Sequence, residues 1–88
     1  MIQQEVEVIN TLGLHARPAA QFVKLAALSK STVFIEKDGT RINGKSIMGV
    51  MMLAAEKGSK LMIVVEGPDE QEVIVKLVDL FRNKFFEE

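Results

Sequence analysis

Residues 39–46 read GTRINGKS. The string satisfies the P-loop pattern G-x-x-x-x-G-K-[ST] without a mismatch, and how it is read decides the fold. A P-loop curls its intervening residues into backbone donors around phosphates. It also sits in a parallel sheet, whose strands are joined by helical crossovers of roughly a dozen residues or more. Here Thr40, Arg41 and Ile42 form a β-prone run directly after Asp38-Gly39, and 88 residues cannot supply the crossovers. The competing reading is a hairpin. TVFIEK (32–37) and TRIN (40–43) flank an Asp-Gly turn, which is a strong hairpin signal. Asn43-Gly44 then turns the chain, and Ser46 caps a short, two-turn helix in IMGVMMLAA (47–55), ended by Lys57-Gly58. The hairpin reading makes the sheet antiparallel and turns GKS from a nucleotide cradle into a helix start.

Working outward, IQQEVEVI (2–9) alternates, with Ile2, Val6 and Val8 on one face and Glu5 and Glu7 on the other. That is a half-buried strand. ARPAAQFVKLAAL (16–28) is an alanine-rich helix with Ala19, Ala20, Val23, Ala26 and Ala27 on one face. KLMIVVE (60–66) is apolar on both faces for most of its length, which places it at the centre of a sheet. Asp69 with Glu72 three residues on fits a capping box for a last helix. Val73, Leu77, Leu80 and Phe81 line that helix, and Ile74, Val78 and Phe85 widen the stripe. The order is β-α-β-β-α-β-α. It predicts an α+β fold, a four-stranded, mostly antiparallel sheet with helices over one face.

Composition narrows the function classes. Hydrophobic residues make up 48% and charged residues 26%, with a net charge of −1. This is an ordinary globular balance, with neither a nucleic-acid footprint nor a polybasic membrane patch. The chain has no cysteine, which excludes disulfides and thiolate metal sites. No signal-peptide pattern opens it, and no apolar run approaches the ~20 residues of a membrane helix. The expectation is a single cytoplasmic domain over residues 1–88, a monomer.

LGLHARPAA (12–20) holds the only histidine, His15. Pro18 is tolerated only in the first turn of a helix, so His15 lies at or beside the N-cap. Free N–H groups and the macrodipole make a helix start receptive to anions. A neutral imidazole at such a place is a nucleophile. Arg17 adds a planar fork matched to phosphate oxygens. Gly13 permits close approach, and Leu12, Leu14 and Ala20 leave the surround apolar. No second histidine, cysteine or acidic pair points to a metal, and no cofactor is expected. From the residues alone this is a histidine nucleophile at a phosphate-friendly helix start, with donor and acceptor unnamed.

GLHARPAAQFVK (13–24), GKSIMGVMML (44–53) and the closing element order resemble the HPr/NPr family of histidine-containing phosphocarriers of the bacterial phosphotransferase system. The likeness spans essentially the whole chain. It implies an open-faced β-sandwich with three helices on one side. It also implies that His15 is phosphorylated on Nδ1 by phospho-enzyme I, charged from phosphoenolpyruvate, and passes the group to an enzyme II component of the IIA type. The protein is then a stoichiometric carrier and not an enzyme. By the same resemblance Arg17 contacts the phosphate, the Ala16 and Arg17 amides are further donors, and Pro18 completes the phosphate-binding set by fixing the helix start.

The resemblance further implies regulatory phosphorylation of Ser46 by an ATP-dependent HPr kinase/phosphorylase. Leu14, Ala20, Lys24, Lys45, Ile47, Met48 and Met51 are the expected partner-binding surface, apolar at its centre and cationic at its rim. Leu12 and the tail LFRNKFFEE (80–88) look like the nitrogen-related branch, NPr. KSIMGVM looks like the serine-regulated branch.

Overall fold

The computed structural model describes residues 1–87. Its elements run β1 (Ile2–Glu7), α1 (Ala16–Ala27), β2 (Thr32–Lys37), β3 (Thr40–Asn43), α2 (Ile47–Met52), β4 (Lys60–Glu66) and α3 (Glu70–Arg82). The strands form one sheet in the order β1-β4-β2-β3, and every pairing is antiparallel. The expected α+β layering and element order are therefore present. KLMIVVE is central as its two-sided apolarity required, with Ile63 paired to Gln4 on one side and Ile35 on the other.

GTRINGKS is not a P-loop. Thr40–Asn43 is a strand, with Lys37 opposite Thr40 and Phe34 opposite Asn43. Asp38 and Gly39 both have positive φ, 50° and 83°, as a primed hairpin turn demands. The amides a nucleotide would need are already engaged. Gly44 N–H donates to Val33 O at 2.8 Å, and Ser46 N–H to Asn43 O at 3.1 Å. Lys45 N–H donates to Asn43 Oδ1 at 2.8 Å. Gly44 serves packing: a Cβ there would come within 2.6 Å of Val33 Cγ1. Ser46 caps α2 as its position suggested, its Oγ accepting from Gly49 N–H at 3.1 Å.

The core lies between the helices and the sheet face carrying Val6, Val33, Ile35, Leu61, Ile63 and Val65. On α1 the buried residues are Pro18, Ala19, Phe22, Val23 and Ala26. Ala20 and Ala27, expected inward, face solvent. Phe22 takes the space instead, its ring edge-on to Phe81 with centroids 6.1 Å apart. Helix α3 buries the predicted stripe from Val73 to Phe81. Phe85 lies beyond its end. There Lys84, Phe85 and Phe86 all have positive φ, between 52° and 59°, and reverse the chain so that Phe85 is buried against Phe81. Glu88, the last residue of the tail segment, is outside the described residues.

The capping box at α3 does not form. Asp69 makes no side-chain cap bond to its helix, and Glu72 pairs with Lys76 at 3.0 Å. The Asp69 carboxylate instead reaches across to the loop between α1 and β2. It accepts from Lys30 N–H at 2.9 Å and from the hydroxyl of Ser31, a buried polar residue. These bonds, the Ser31 one foremost, hold the Asp69 carboxyl below its ordinary 3.8. The folded state therefore binds fewer protons than the unfolded state around that value. The stabilisation is complete above it and is lost as pH falls through the lowered folded-state value. We expect Asp69→Asn to lower the melting temperature at neutral pH, with the difference from the parent protein shrinking in strong acid. Thermal scans of both proteins across the acid range check this.

Candidate functional site

The site grows from the loop before α1. Asn10 is fully buried, and its Nδ2 donates to Gly13 O at 2.7 Å. Gly13 N–H returns to Asn10 O at 3.2 Å, and Leu14 N–H donates to Ala55 O at 2.8 Å. Gly13 has φ 72°, and a Cβ there would lie 2.6 Å from the Ala55 carbonyl oxygen. Its close approach is thus to the protein's own backbone. The result fixes His15 as the N-cap of α1, extended at φ −79°, ψ −168°.

The first intrahelical bond is Ala19 N–H to His15 O, 3.0 Å. Upstream of it, among the described residues, the Ala16 and Arg17 amides have no acceptor in the protein. Pro18 has no N–H and is buried. It sets where the helix begins and donates nothing. Arg17 is exposed and, among the described residues, forms no ion pair or hydrogen bond. Two amides and a free guanidinium thus stand beside a histidine at a helix start, where the dipole also attracts anions.

Sequence reading missed the residue that touches His15. Glu87 Oε2 lies 2.9 Å from His15 Nε2, and Glu87 Oε1 accepts from Asn10 Nδ2 at 3.0 Å. A carboxylate oxygen only accepts, so Nε2 carries the proton in this contact. The lone pair of the neutral ring is then on Nδ1. The tail is held in place by the buried Phe85 and by Gln21 Nε2 donating to Phe85 O at 3.1 Å. A contact between residues 72 positions apart leaves no local pattern. The only signal in the sequence was a carboxylate near the end of an aromatic tail.

The predicted partner residues do not all gather at His15. An open depression of about 600 Å³ beside it is lined by Leu12, Leu14, Met51 and the segment Ala54–Lys57, among others. Met51 is therefore at the site, and Met48 and Ile47 are exposed on the same short helix. Leu14, expected on the surface, is in the core at 4% exposure, because its amide is tied down to Ala55. Ala20 is exposed. Lys24 lies in the last turn of α1, about 13 Å along the axis from His15. Lys45 Nζ points to Ser29 O, 3.4 Å away, and lines a separate recess with Lys30 and Phe34. It is not part of the His15 depression.

Comparison with known proteins follows this geometry. A family model described as the PTS HPr component phosphorylation site matches residues 2–83. The chain is 49% identical over 88 residues to the phosphocarrier protein HPr of Treponema pallidum, covering 100% of both chains. It is 52% identical over 77 residues to the HPr-like protein Crh of Bacillus subtilis, covering 88% of this chain and 91% of that one. The crystal structure of an HPr from Thermoanaerobacter tengcongensis superposes with a TM-score of 0.96 at 46% identity, covering 100% of this chain and 99% of the other.

Two substitutions test the geometry. Gly13→Ala should cost about 2–4 kcal/mol, from left-handed backbone and overpacking against Ala55, measured by urea unfolding. Glu87→Ala should release the imidazole while leaving the fold intact, because the Phe85 anchor remains. The checks are an unchanged urea midpoint and a shift to faster solvent exchange of the His15 Nε2 proton by ¹⁵N NMR.

Proposed function

The chain belongs to the HPr family of phosphotransferase-system phosphocarriers, and on that premise we propose that His15 Nδ1 takes a phosphoryl group from phospho-enzyme I and yields it to a IIA-type enzyme II component. The observation that carries this reading is the division of labour on one imidazole. Nε2 is engaged by Glu87, leaving Nδ1 as the nucleophilic atom. The ring caps a helix whose next two amides have no acceptor of their own.

In the transfer, the Nδ1 lone pair attacks phosphorus and the bond from phosphorus to phospho-enzyme I breaks, its electron pair staying with the donor. The phosphoryl oxygens then find the Ala16 and Arg17 N–H groups, with Arg17 swinging in as a charged fork. In the reverse step the leaving group is neutral imidazole as long as Nε2 keeps its proton. The protein is a carrier and not a catalytic enzyme, so each molecule turns over only through its partners.

The HPr family implies enzyme I and enzyme II as those partners. We assign their docking to Leu12, Ile47, Met48 and Met51, all exposed, with Ala20, Arg17 and Lys24 along α1. The Ser46 hydroxyl is half-buried at the start of α2. A phosphate placed there would sit beside the same patch, where its charge would repel an acidic partner. The likeness to the HPr-like protein Crh of Bacillus subtilis, described as a catabolite repression HPr, supports a regulatory role as an alternative to plain sugar uptake. Whether the circuit is sugar-linked or nitrogen-linked is set by the partner proteins. The groups proposed to seat the phosphate all come from one chain, and the family model spans residues 2–83. Both support a monomer whose residues 1–88 form one domain. No helix of the described residues is long and apolar enough to cross a membrane, and the proposed dependence on phosphoenolpyruvate supports a cytoplasmic protein.

The test is incubation with phosphoenolpyruvate and enzyme I. Wild type should gain one acid-labile, alkali-stable phosphate, and His15→Ala none. Arg17→Ala should slow uptake about a hundredfold, the usual cost of losing one donor to a developing oxyanion. An undiminished label on His15→Ala would overturn the assignment.

A further inference from the structure

The chain contains five methionines and no cysteine, tryptophan or tyrosine. A two-electron oxidant therefore meets thioethers before any other readily oxidised side chain. Three of the five are in one six-residue helix, α2. Met48, Met51 and Met52 stand at helical spacings of three and four, so they share a face. That face is turned to solvent, with exposures of 74%, 43% and 79%, while Val50 on the opposite side is fully buried. Met51 lines the depression that also holds His15. Of the other two, Met1 is at the chain start, and Met62 is half-buried on the open face of the sheet, opposite Glu5 and Glu36.

We propose that Met48, Met51 and Met52 form a reversible oxidation site through which peroxide-class oxidants weaken phosphoryl delivery to and from His15. The proposal rests on the docking reading given above. A thioether sulfur attacks one oxygen of hydrogen peroxide; the O–O bond breaks, an S–O bond forms, and the second oxygen leaves as water. Sulfur is oxidised by two electrons and the peroxide reduced. Sulfoxide reductases reverse the step, two thiols becoming a disulfide as the oxygen departs as water. The product sulfoxide is polar and accepts strong hydrogen bonds. A partner that must bury an apolar helix face against its own apolar surface would then desolvate up to three unpaired dipoles. The site chemistry is untouched, since neither Arg17 nor the imidazole is altered. The loss should therefore appear in binding.

The experiment treats the full chain with hydrogen peroxide, maps added oxygen by peptide mass, and follows His15 phosphorylation by phosphoenolpyruvate and enzyme I. Each protein is compared with itself before and after treatment. For wild type, uptake at low carrier concentration should fall about tenfold or more, with the saturated rate little changed. Methionine sulfoxide reductase should restore it. The Met48→Leu, Met51→Leu, Met52→Leu triple variant should keep its own starting rate after peroxide, whereas Met62→Leu should lose as much as wild type. The proposal is overturned if wild type carrying all three sulfoxides transfers as before, or if the triple variant loses the same fraction. If untreated protein takes up no phosphate at all, the carrier assignment of His15 fails first and this inference with it.

Discussion

One backbone contact underlies the site: Gly13 and Leu14 laid against Ala55. Leu14 N–H donates to Ala55 O at 2.8 Å, and Gly13 lies so close to that carbonyl that only hydrogen fits. This contact needs α2 to be short. The helix ends at Met52, and Ala54 turns the chain with φ 49°. Ala55 can then offer its carbonyl sideways to a different segment. Had IMGVMMLAA stayed helical throughout, that carbonyl would run parallel to the helix axis. The brevity of α2 and the placement of His15 are thus one constraint seen from two sides, and it brings Met51 and His15 to the same depression.

A second tie works from the other end of the chain. Three successive non-glycine residues in the left-handed region cost about 1–2 kcal/mol each. Burying Phe85, stacking it edge-on against Phe81 at 4.8 Å, and the Gln21 bond to its carbonyl offset this strain. The turn delivers Glu87 to Asn10 and His15 together. Asn10 is the joint between the two ties. One side-chain amide group bonds the loop at Gly13 and the tail at Glu87, while among the described residues its buried Oδ1 has no partner. Exchanging the amide's ends would set an oxygen against two acceptors, so the orphaned oxygen is the cost of holding both segments.

The local signals in the sequence were reliable wherever a residue's chemistry acts on its own neighbours. Pro18 located the start of α1 because a proline ring cannot lie deeper in a helix. Asp38-Gly39 marked the hairpin because both residues accept positive φ, and this exposed GTRINGKS as a coincidental match. KLMIVVE was central because nothing else buries both faces of a strand. The failures were tertiary. Asp69 and Glu72 had the right spacing for a capping box, but Ser31 and Lys30 captured the Asp69 carboxylate from another element. The alanines of α1 gave an ambiguous face, which Phe22 decided by filling volume at Phe81. Glu87 was invisible, since its role depends on a left-handed turn that none of its neighbours predicts.

Taken together, the site is rigid in its backbone and sparse in its side chains, and a carrier needs both. His15, Ala16 and Arg17 are positioned by bonds within the protein, so the proposed phosphate seat is formed before any group arrives. Yet the proposed seat, among the described residues, is two amides and one solvated guanidinium, with the histidine side chain about one-third exposed at 36%. Among the described residues nothing closes over that proposed seat, and Pro18 removes the amide that would have been the third donor in the turn. A deeper seat, with more donors and less water, would hold the phosphate too well for a molecule that must surrender it. On the proposed reading the remaining stabilisation of the transition state comes from the partner's side, and the exposed apolar face of α2 beside the histidine is where that partner would seat.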